Sequence, residues 1–450
     1  MARGQPPGLS VLFFTELWER LAYYGVRSLL ILYLIDGSSG GLGWSQERAS
    51  RLYGWFVGLT YLSPVVGGWL ADRYLGTNTS LTIGGAVLAL GYLLLALHGN
   101  GLFFAGLALV ILGTGFMKPN VHTMVGQLYQ RDDPRRDSGF TLYYMGINVG
   151  AFLGPLVCAW LAARYGWPYG FAGACAAMMI GLAFYLGTKE DRLRGVGLAP
   201  DRRAAAQTVA RSAGLTDAER GRLSAIAIST IFVVFFWVAY EQAGSSLNVF
   251  AAHRIDRAVS GWLQAIVPGG ELPAAWFQAI NPLCILLFAP IVASFWQKLG
   301  DRAPSSPTKM AIGLILLGLA YGVMVAGSAQ SDRGILISGW YLVIFYLIYS
   351  LGELCFLPVG ISFVSQTAPA RLGSMVMGIW LTANFVANLA GGYLAGMMER
   401  IERGELFRVF GGDADFFLIF VLLGVSAGVL LWLLVPYLNR LMHAGKSASA

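Results

Sequence analysis

Charge is scarce in this chain. Of its 450 residues only 12% are Asp, Glu, Lys or Arg, against about 25% in a soluble protein. That is too little to clothe soluble domains, so a soluble globular protein is excluded. Cysteine is scarcer still: four residues, Cys158, Cys175, Cys284 and Cys355, all lie inside apolar runs. They lack Cys-x-x-Cys or Cys/His spacing, which argues against both a disulfide framework and a zinc site. Histidine is also limited to four, His98, His122, His253 and His443. They are scattered, with no His-Glu-x-x-His and no phosphate-cradling Gly-x-x-x-x-Gly-Lys-Ser/Thr loop, so neither an enzyme nor an ATP-driven pump is expected. No metal or cofactor is expected. The net charge of +7 is not gathered into a basic, aromatic-interleaved tract, so nucleic acid is not an expected partner. The 58 glycines show no Gly-X-Y period, which excludes collagen.

What is abundant is apolar length. Hydrophobic residues make up 56% of the chain, in runs long enough to cross the hydrocarbon core, which takes about 20 residues of helix. The reading is all-α and integral to the membrane, with twelve spans near 10–35, 47–72, 79–98, 102–127, 138–163, 169–187, 224–250, 275–299, 309–328, 335–364, 372–399 and 415–439. The first apolar run holds Glu16, Glu19 and Arg20, which no cleavable signal carries in its core, so this helix is expected to stay. If the N-terminus faces the cytoplasm, the inner connections hold roughly twice as many Lys and Arg as the outer ones, which places both termini in the cytoplasm. Residues 189–222 form the longest inner connection and divide the chain into a six-helix bundle over 1–188 and a second over 223–450. Within it, Ala204–Gly214 is either a short basic helix lying on anionic lipid or a plain solvated linker. A faint duplication supports two bundles: Ser63-Pro64-Val65-Val66 precedes Asp72-Arg73, and Ala289-Pro290-Ile291-Val292 precedes Asp301-Arg302.

The few ionisable residues inside the spans are informative: Glu16, Glu19, Arg20 and Arg27 in the first, Lys118 in the fourth, Glu241 in the seventh and Glu353 in the tenth. Each would cost roughly 2.5 kcal/mol or more facing lipid at mid-depth, so each is expected to face a watery or protein-lined interior. At about 100° per residue, Glu16, Glu19, Arg20, Tyr23, Tyr24 and Arg27 fall within an arc of roughly 140° on one helix face. That stripe is either a packing zipper, such as Glu16 with Arg20 at i,i+4, or one wall of a pathway. The surplus of basic residues and tyrosines favours the pathway. Lys118 sits too deep to snorkel and is followed by Pro119, which suits a helix bending around a cavity. Glu353 precedes Pro358 and Gly360, and Glu241 lies one turn after Trp237 beside Gln242. Acids buried beside bases point to a secondary carrier driven by protons.

Several stretches carry a resemblance. Glu16-Leu17-Trp18-Glu19-Arg20-Leu21-Ala22-Tyr23-Tyr24-Gly25 resembles the Glu-x-x-Glu-Arg signature of the proton-dependent oligopeptide transporter family, within the major facilitator superfamily. Gly67-Gly68-Trp69-Leu70-Ala71-Asp72-Arg73-Tyr74-Leu75-Gly76 is similar to the superfamily's loop between the second and third spans. Gly115-Phe116-Met117-Lys118-Pro119-Asn120-Val121 and Tyr143-Tyr144-Met145-Gly146-Ile147-Asn148-Val149-Gly150 resemble the fourth- and fifth-span motifs. Phe236-Trp237, Glu241-Gln242, Asn281-Pro282-Leu283, Gly352-Glu353-Leu354 and Trp380 fall at comparable places in the second half. Three departures stand out. The two extra inter-bundle helices of many bacterial members are missing, the second span has no histidine, and Thr77-Asn78 replaces the basic pair common after Gly76.

The resemblance implies a monomeric symporter in the inner (plasma) membrane that imports di- and tripeptides with protons by alternating access. A peptide is a zwitterion with variable side chains, so its termini are the constant handles. Arg27 and Lys118 are expected to attract its carboxylate, and Glu353 and Asn281 its ammonium group. Asn148, Tyr24 and Tyr61 would bond its backbone, and Trp237 and Trp380 would supply apolar wall. Glu16, Glu19 and Glu241 are the candidate proton carriers, with Arg20 and Lys118 as the partners whose pairing changes on protonation. The alternative is a proton-coupled carrier of nitrate, another small anion or a drug-like substrate, for which Glu353 would have no evident use.

Overall fold

The structure is a computed structural model that describes residues 4–97, 99–130, 133–198, 215–369 and 372–443. The stretch 204–214, read as either a short basic helix or a plain solvated linker, lies outside the described residues. The helices are α1 (Pro7–Ile35), α2 (Gln46–Leu70), α3 (Thr77–Ala96), α4 (Asn100–Gln127), α5 (Arg136–Tyr165), α6 (Trp167–Arg192), α7 (Asp217–Tyr240), α8 (Ser246–Arg254), α9 (Ile280–Leu299), α10 (Ser306–Ser331), α11 (Trp340–Thr367), α12 (Gly373–Gly396), α13 (Met398–Glu402) and α14 (Asp413–His443). Ten helical segments among the described residues are long and apolar enough to cross a membrane. The long helices α1 and α2 are not among the ten. In α1 the reason is charge: Glu16, Glu19, Arg20 and Arg27 interrupt every membrane-length window. The only strands among the described residues are two-residue pieces, β1 (Ile255–Asp256) and β2 (Ile337–Ser338), paired in parallel.

Local chemistry sets many helix ends. Pro7 occupies the first turn of α1, where a missing N–H costs nothing. Thr216 and Glu219 close a capping box on α7: the Thr216 hydroxyl accepts from the Glu219 N–H at 3.2 Å, and the Glu219 carboxylate accepts from the Thr216 N–H at 2.9 Å. Gly166, at φ 101, turns the chain between α5 and α6. The two Asp-Arg echoes both lie in non-α turns, a π turn over Ala71–Leu75 and a 3₁₀ turn over Gly300–Arg302.

Neither Pro119 nor Pro358 ends its helix, for α4 runs through the one and α11 through the other. The break falls instead in the seventh span, which was expected to be a single helix over 224–250. A 3₁₀ turn over Glu241–Gly244 separates α7 from α8, and Ser245 lies outside the helical region at φ −118, ψ −98. The sequence there is Gly244-Ser245-Ser246. Glycine and serine hold a helix weakly, because one is entropically free and the other competes for backbone hydrogen bonds.

Contacts group the described residues into two compact units. One draws on the described residues within Met1–Trp44, Leu59–Ala210 and Ala258–Leu283, the other on those within Ser45–Gly58, Arg211–Arg257 and Cys284–Ala450. In the first unit α1 packs along α5 and α6. Gly146, Gly150 and Gly154, spaced one turn apart on α5, meet Phe13, Leu17 and Leu21, spaced likewise on α1. A Cβ at Gly150 would collide with the Leu17 carbonyl, so the two backbones touch there. In the second unit α10 packs against α11 and α14. All four cysteines are free and buried.

Candidate transport site

The first unit holds the charged part of the candidate site. On α1, Glu16, Glu19 and Arg20 are at most 4% exposed and Arg27 is 6% exposed. The Arg20 Nε lies 2.9 Å from Glu16 Oε1 and also contacts the Glu19 carboxylate. One guanidinium thus serves two carboxylates in a site closed to water. With all three ionised the trio carries one net negative charge, and a single proton would neutralise it. The tyrosines flank this row: the Arg20 guanidinium lies 5.5 Å from the Tyr23 ring centre and the Arg27 guanidinium 5.6 Å from that of Tyr24. Tyr23 in turn shares a 3.0 Å hydroxyl contact with Thr60 of α2.

Other elements of the first unit supply more of it. Lys118 on α4 is half-buried, and its ammonium lies 3.8 Å from the ring centre of Tyr61 on α2. Two expected residues therefore meet in a cation–π pair. Asn148 on α5 is 7% exposed, and its amide N–H donates to the Tyr144 carbonyl at 3.0 Å. Asn281, in the first turn of α9, is half-buried and belongs to the same unit.

The second unit holds Trp237, Glu241, Glu353 and Trp380. Glu241, 3% exposed, opens the 3₁₀ turn after α7. Its neighbour Gln242 is fully buried. The Gln242 amide N–H groups donate to the Val238 carbonyl at 3.0 Å and the Gly391 carbonyl at 3.2 Å, and its side-chain oxygen accepts from the Ser246 hydroxyl at 2.6 Å. Glu353 on α11 is 7% exposed. Trp380 on α12 lies over Gly360, where a Cβ would come within 2.9 Å of the indole. Trp237 stands edge-on to Tyr240, with ring centres 4.9 Å apart.

Sequence reasoning missed some polar neighbours. His122 was read as one of four scattered histidines, yet it lies one turn after Lys118. Its Nδ1 is 2.9 Å from the Lys118 carbonyl and 3.3 Å from the Tyr143 hydroxyl. The i,i+4 spacing from Lys118 was the available signal. Tyr321 and Tyr349 were missed as well. Nothing in their spacing marks them, because their partners are main-chain carbonyls of another helix.

Comparison with known proteins decides the family. Residues 79–193 and 202–409 match the family described as the POT family. The chain belongs to the POT family. This POT family chain is 36% identical to the uncharacterized transporter YclF of Bacillus subtilis, over 98% of its own length and 95% of that protein's. It is 34% identical to the peptide transporter YePEPT of Yersinia enterocolitica, over 98% of its length and 96% of the other's. A crystal structure of a mutant of peptide transporter POT in complex with alafosfalin superposes with a TM-score of 0.87 at 33% identity, covering 98% of this chain and 97% of that one. These family members are transporters.

Proposed function

We propose that this POT family chain is a proton-coupled symporter that imports di- and tripeptides across the inner membrane by alternating access. In this reading twelve spans form two six-helix bundles, over 1–188 and 223–450, joined by the 189–222 linker, with both termini in the cytoplasm. One chain carries all the proposed site residues, so the monomer is the transporting unit. The observation that carries the reading is the Glu16–Glu19–Arg20 trio buried in mid-helix. Two carboxylates sharing one guanidinium in a site closed to water offer a place where a proton can come and go. The names and ligands of the relatives supply the substrate class.

Roles follow from charge and reach. Arg27 and Lys118 attract the peptide carboxylate, Arg27 through its planar fork. Glu353 and Asn281 take the ammonium end, Asn148, Tyr24 and Tyr61 bond the peptide backbone, and Trp237 and Trp380 form apolar wall. Glu16, Glu19 and Glu241 carry protons, with Arg20 as the partner whose pairing changes. Moving one charge through 100 mV yields about 2.3 kcal/mol, which supports roughly a fifty-fold concentration ratio. One proton per peptide therefore suffices for useful accumulation.

The test is dipeptide uptake into proteoliposomes with an imposed pH gradient. The parent chain is expected to accumulate dipeptide with proton influx, and nitrate in its place to give none. Lys118→Gln and Glu353→Gln are expected to lose uptake, whereas Glu16→Gln or Glu19→Gln should lose gradient-driven accumulation and keep some peptide counterflow. Full accumulation by the Lys118 or Glu353 variants would refute the substrate assignment. Proton influx with nitrate alone would move the chain to the anion carriers.

A further inference from the structure

The second unit contains a device that the substrate and proton roles do not use. At the end of α7 the hydrogen-bond ladder changes from α to 3₁₀ at Glu241, so the carbonyls just before it no longer point cleanly along the helix axis. Two of them find hydroxyl donors on other helices. Tyr321 of α10 donates to the Ala239 carbonyl at 2.6 Å, and Tyr349 of α11 donates to the Tyr240 carbonyl at 2.9 Å. Both tyrosines are essentially fully buried, at 0% and 1% exposure. Tyr349 holds α7 twice, because its ring also stacks on Tyr240 with centres 4.7 Å apart and planes 18° apart. One turn earlier on α7, Phe236 stacks on Phe356 of α11 at 4.1 Å and 5°.

The position of this clamp gives it a function. Tyr240 is the residue before Glu241, and Tyr349 lies one helical turn before Glu353. The clamp therefore ties the helix end that presents the proton-carrying acid to the helix that presents the substrate-binding acid, within one unit. We infer that Tyr349, assisted by Tyr321, is a positioning residue that holds the α7 break in register with α11, so that a change at Glu241 is felt at Glu353. The titratable groups around Tyr349 are Tyr240 on α7, Tyr321 on α10, and Tyr346 and Glu353 on α11. α12, which carries the Gly391 carbonyl bonded by Gln242, has no charged residue. The inference rests on the proposed roles of Glu241 and Glu353.

Tyr349→Phe tests it, because phenylalanine keeps the stack and removes only the hydroxyl. Losing one donor to a buried carbonyl is expected to cut gradient-driven dipeptide accumulation about ten-fold, in line with the cost of an unmet buried acceptor. Counterflow is expected to stay within about two-fold of the parent, since a single lost bond on α7 leaves the substrate contacts in place. The pH at which uptake is half-maximal should also shift. A merely structural tyrosine would lower all modes in parallel and leave the pH profile unmoved, and that outcome, or unchanged accumulation, overturns the inference. Tyr321→Phe should act in the same direction with a smaller loss, and equal or larger loss there would move the positioning role to Tyr321 and overturn the assignment to Tyr349. Glu241→Gln is run beside them. If it keeps uphill uptake, the underlying proton role has failed and the inference falls with it. If it loses uphill uptake while Tyr349→Phe does not, only the clamp is wrong.

Discussion

The two units solve the same problem, holding ionisable groups in an apolar setting, with different materials. The first unit does it with backbone approach and ion pairing. The glycine stripe Gly146, Gly150, Gly154 brings α5 against α1, and Arg20 sits between Glu16 and Glu19 on the helix so enclosed. The second unit pairs Arg254 with Glu402 and Asp413 at the end of α8, and packs α7, α10, α11 and α14 by other means. It uses aromatic mass: Phe236 on Phe356, Tyr240 on Tyr349, Tyr321 against Phe345 and Phe420. An ion cluster is unforgiving, since removing one member leaves the others buried and uncompensated. A stack is tolerant, since a neighbour can refill part of what is lost. Disruption of the first unit should therefore cost more than disruption of the second.

The largest effect should come from Arg20→Leu, which strands two buried carboxylates. A loss of about 3–5 kcal/mol is expected for breaking a buried pair in this way, read as a collapse of thermal stability in detergent at pH 7. Gly150→Leu comes next, at about 3 kcal/mol, the upper end of overpacking costs, because the obstacle is the Leu17 carbonyl, which cannot change rotamer. No pH dependence is expected there. Phe356→Leu in the second unit should cost only about 1 kcal/mol beyond the lost volume, the worth of one stacked pair. If Phe356→Leu proved as damaging as Arg20→Leu, the contrast between the two units would be wrong.

Those differences also explain what the sequence revealed. The helices of the fold were legible because apolar length and Gly or Pro punctuation are local properties; α1, expected from residue 10 to 35, runs Pro7–Ile35. The ion trio was legible because lipid makes a mid-span charge conspicuous, and Glu16, Glu19 and Arg20 lie within two turns of one helix. Contacts between helices were not legible. The cation–π pair of Lys118 with Tyr61 joins residues 118 and 61, and nothing in either neighbourhood points to the other. The break at Glu241 was hidden for a related reason. Pro119 and Pro358 drew attention as sites of helix bending, whereas the break came at Gly244-Ser245-Ser246, where hydroxyl donors from α10 and α11 bond the carbonyls just before the turn.

The smallest effect probes the edge of the first unit, where α1 ends outside its apolar stretch. Asp36 follows α1 and accepts a 2.7 Å hydrogen bond from the Trp167 indole N–H at the start of α6, along with the Ser38 and Ser39 N–H groups. Partial burial pushes its carboxyl up from the ordinary 3.8, but these hydrogen bonds outweigh burial and hold it below that value. A depressed folded value means that the ionised form is the one the fold favours. Its stabilisation is present above the unfolded value and fades as pH falls through the folded one. Trp167→Phe removes one of the bonds holding it down while keeping an aromatic ring against Tyr33. The variant should therefore melt slightly below the parent at neutral pH, by about 1 kcal/mol or less for one partly exposed bond. The gap should stay constant down to about pH 5 and close once the pH is well below the ordinary aspartate range. A gap that widened on acidification would mean that Asp36 is held in its neutral form, and that the end of α1 is tied to α6 by something other than this carboxylate.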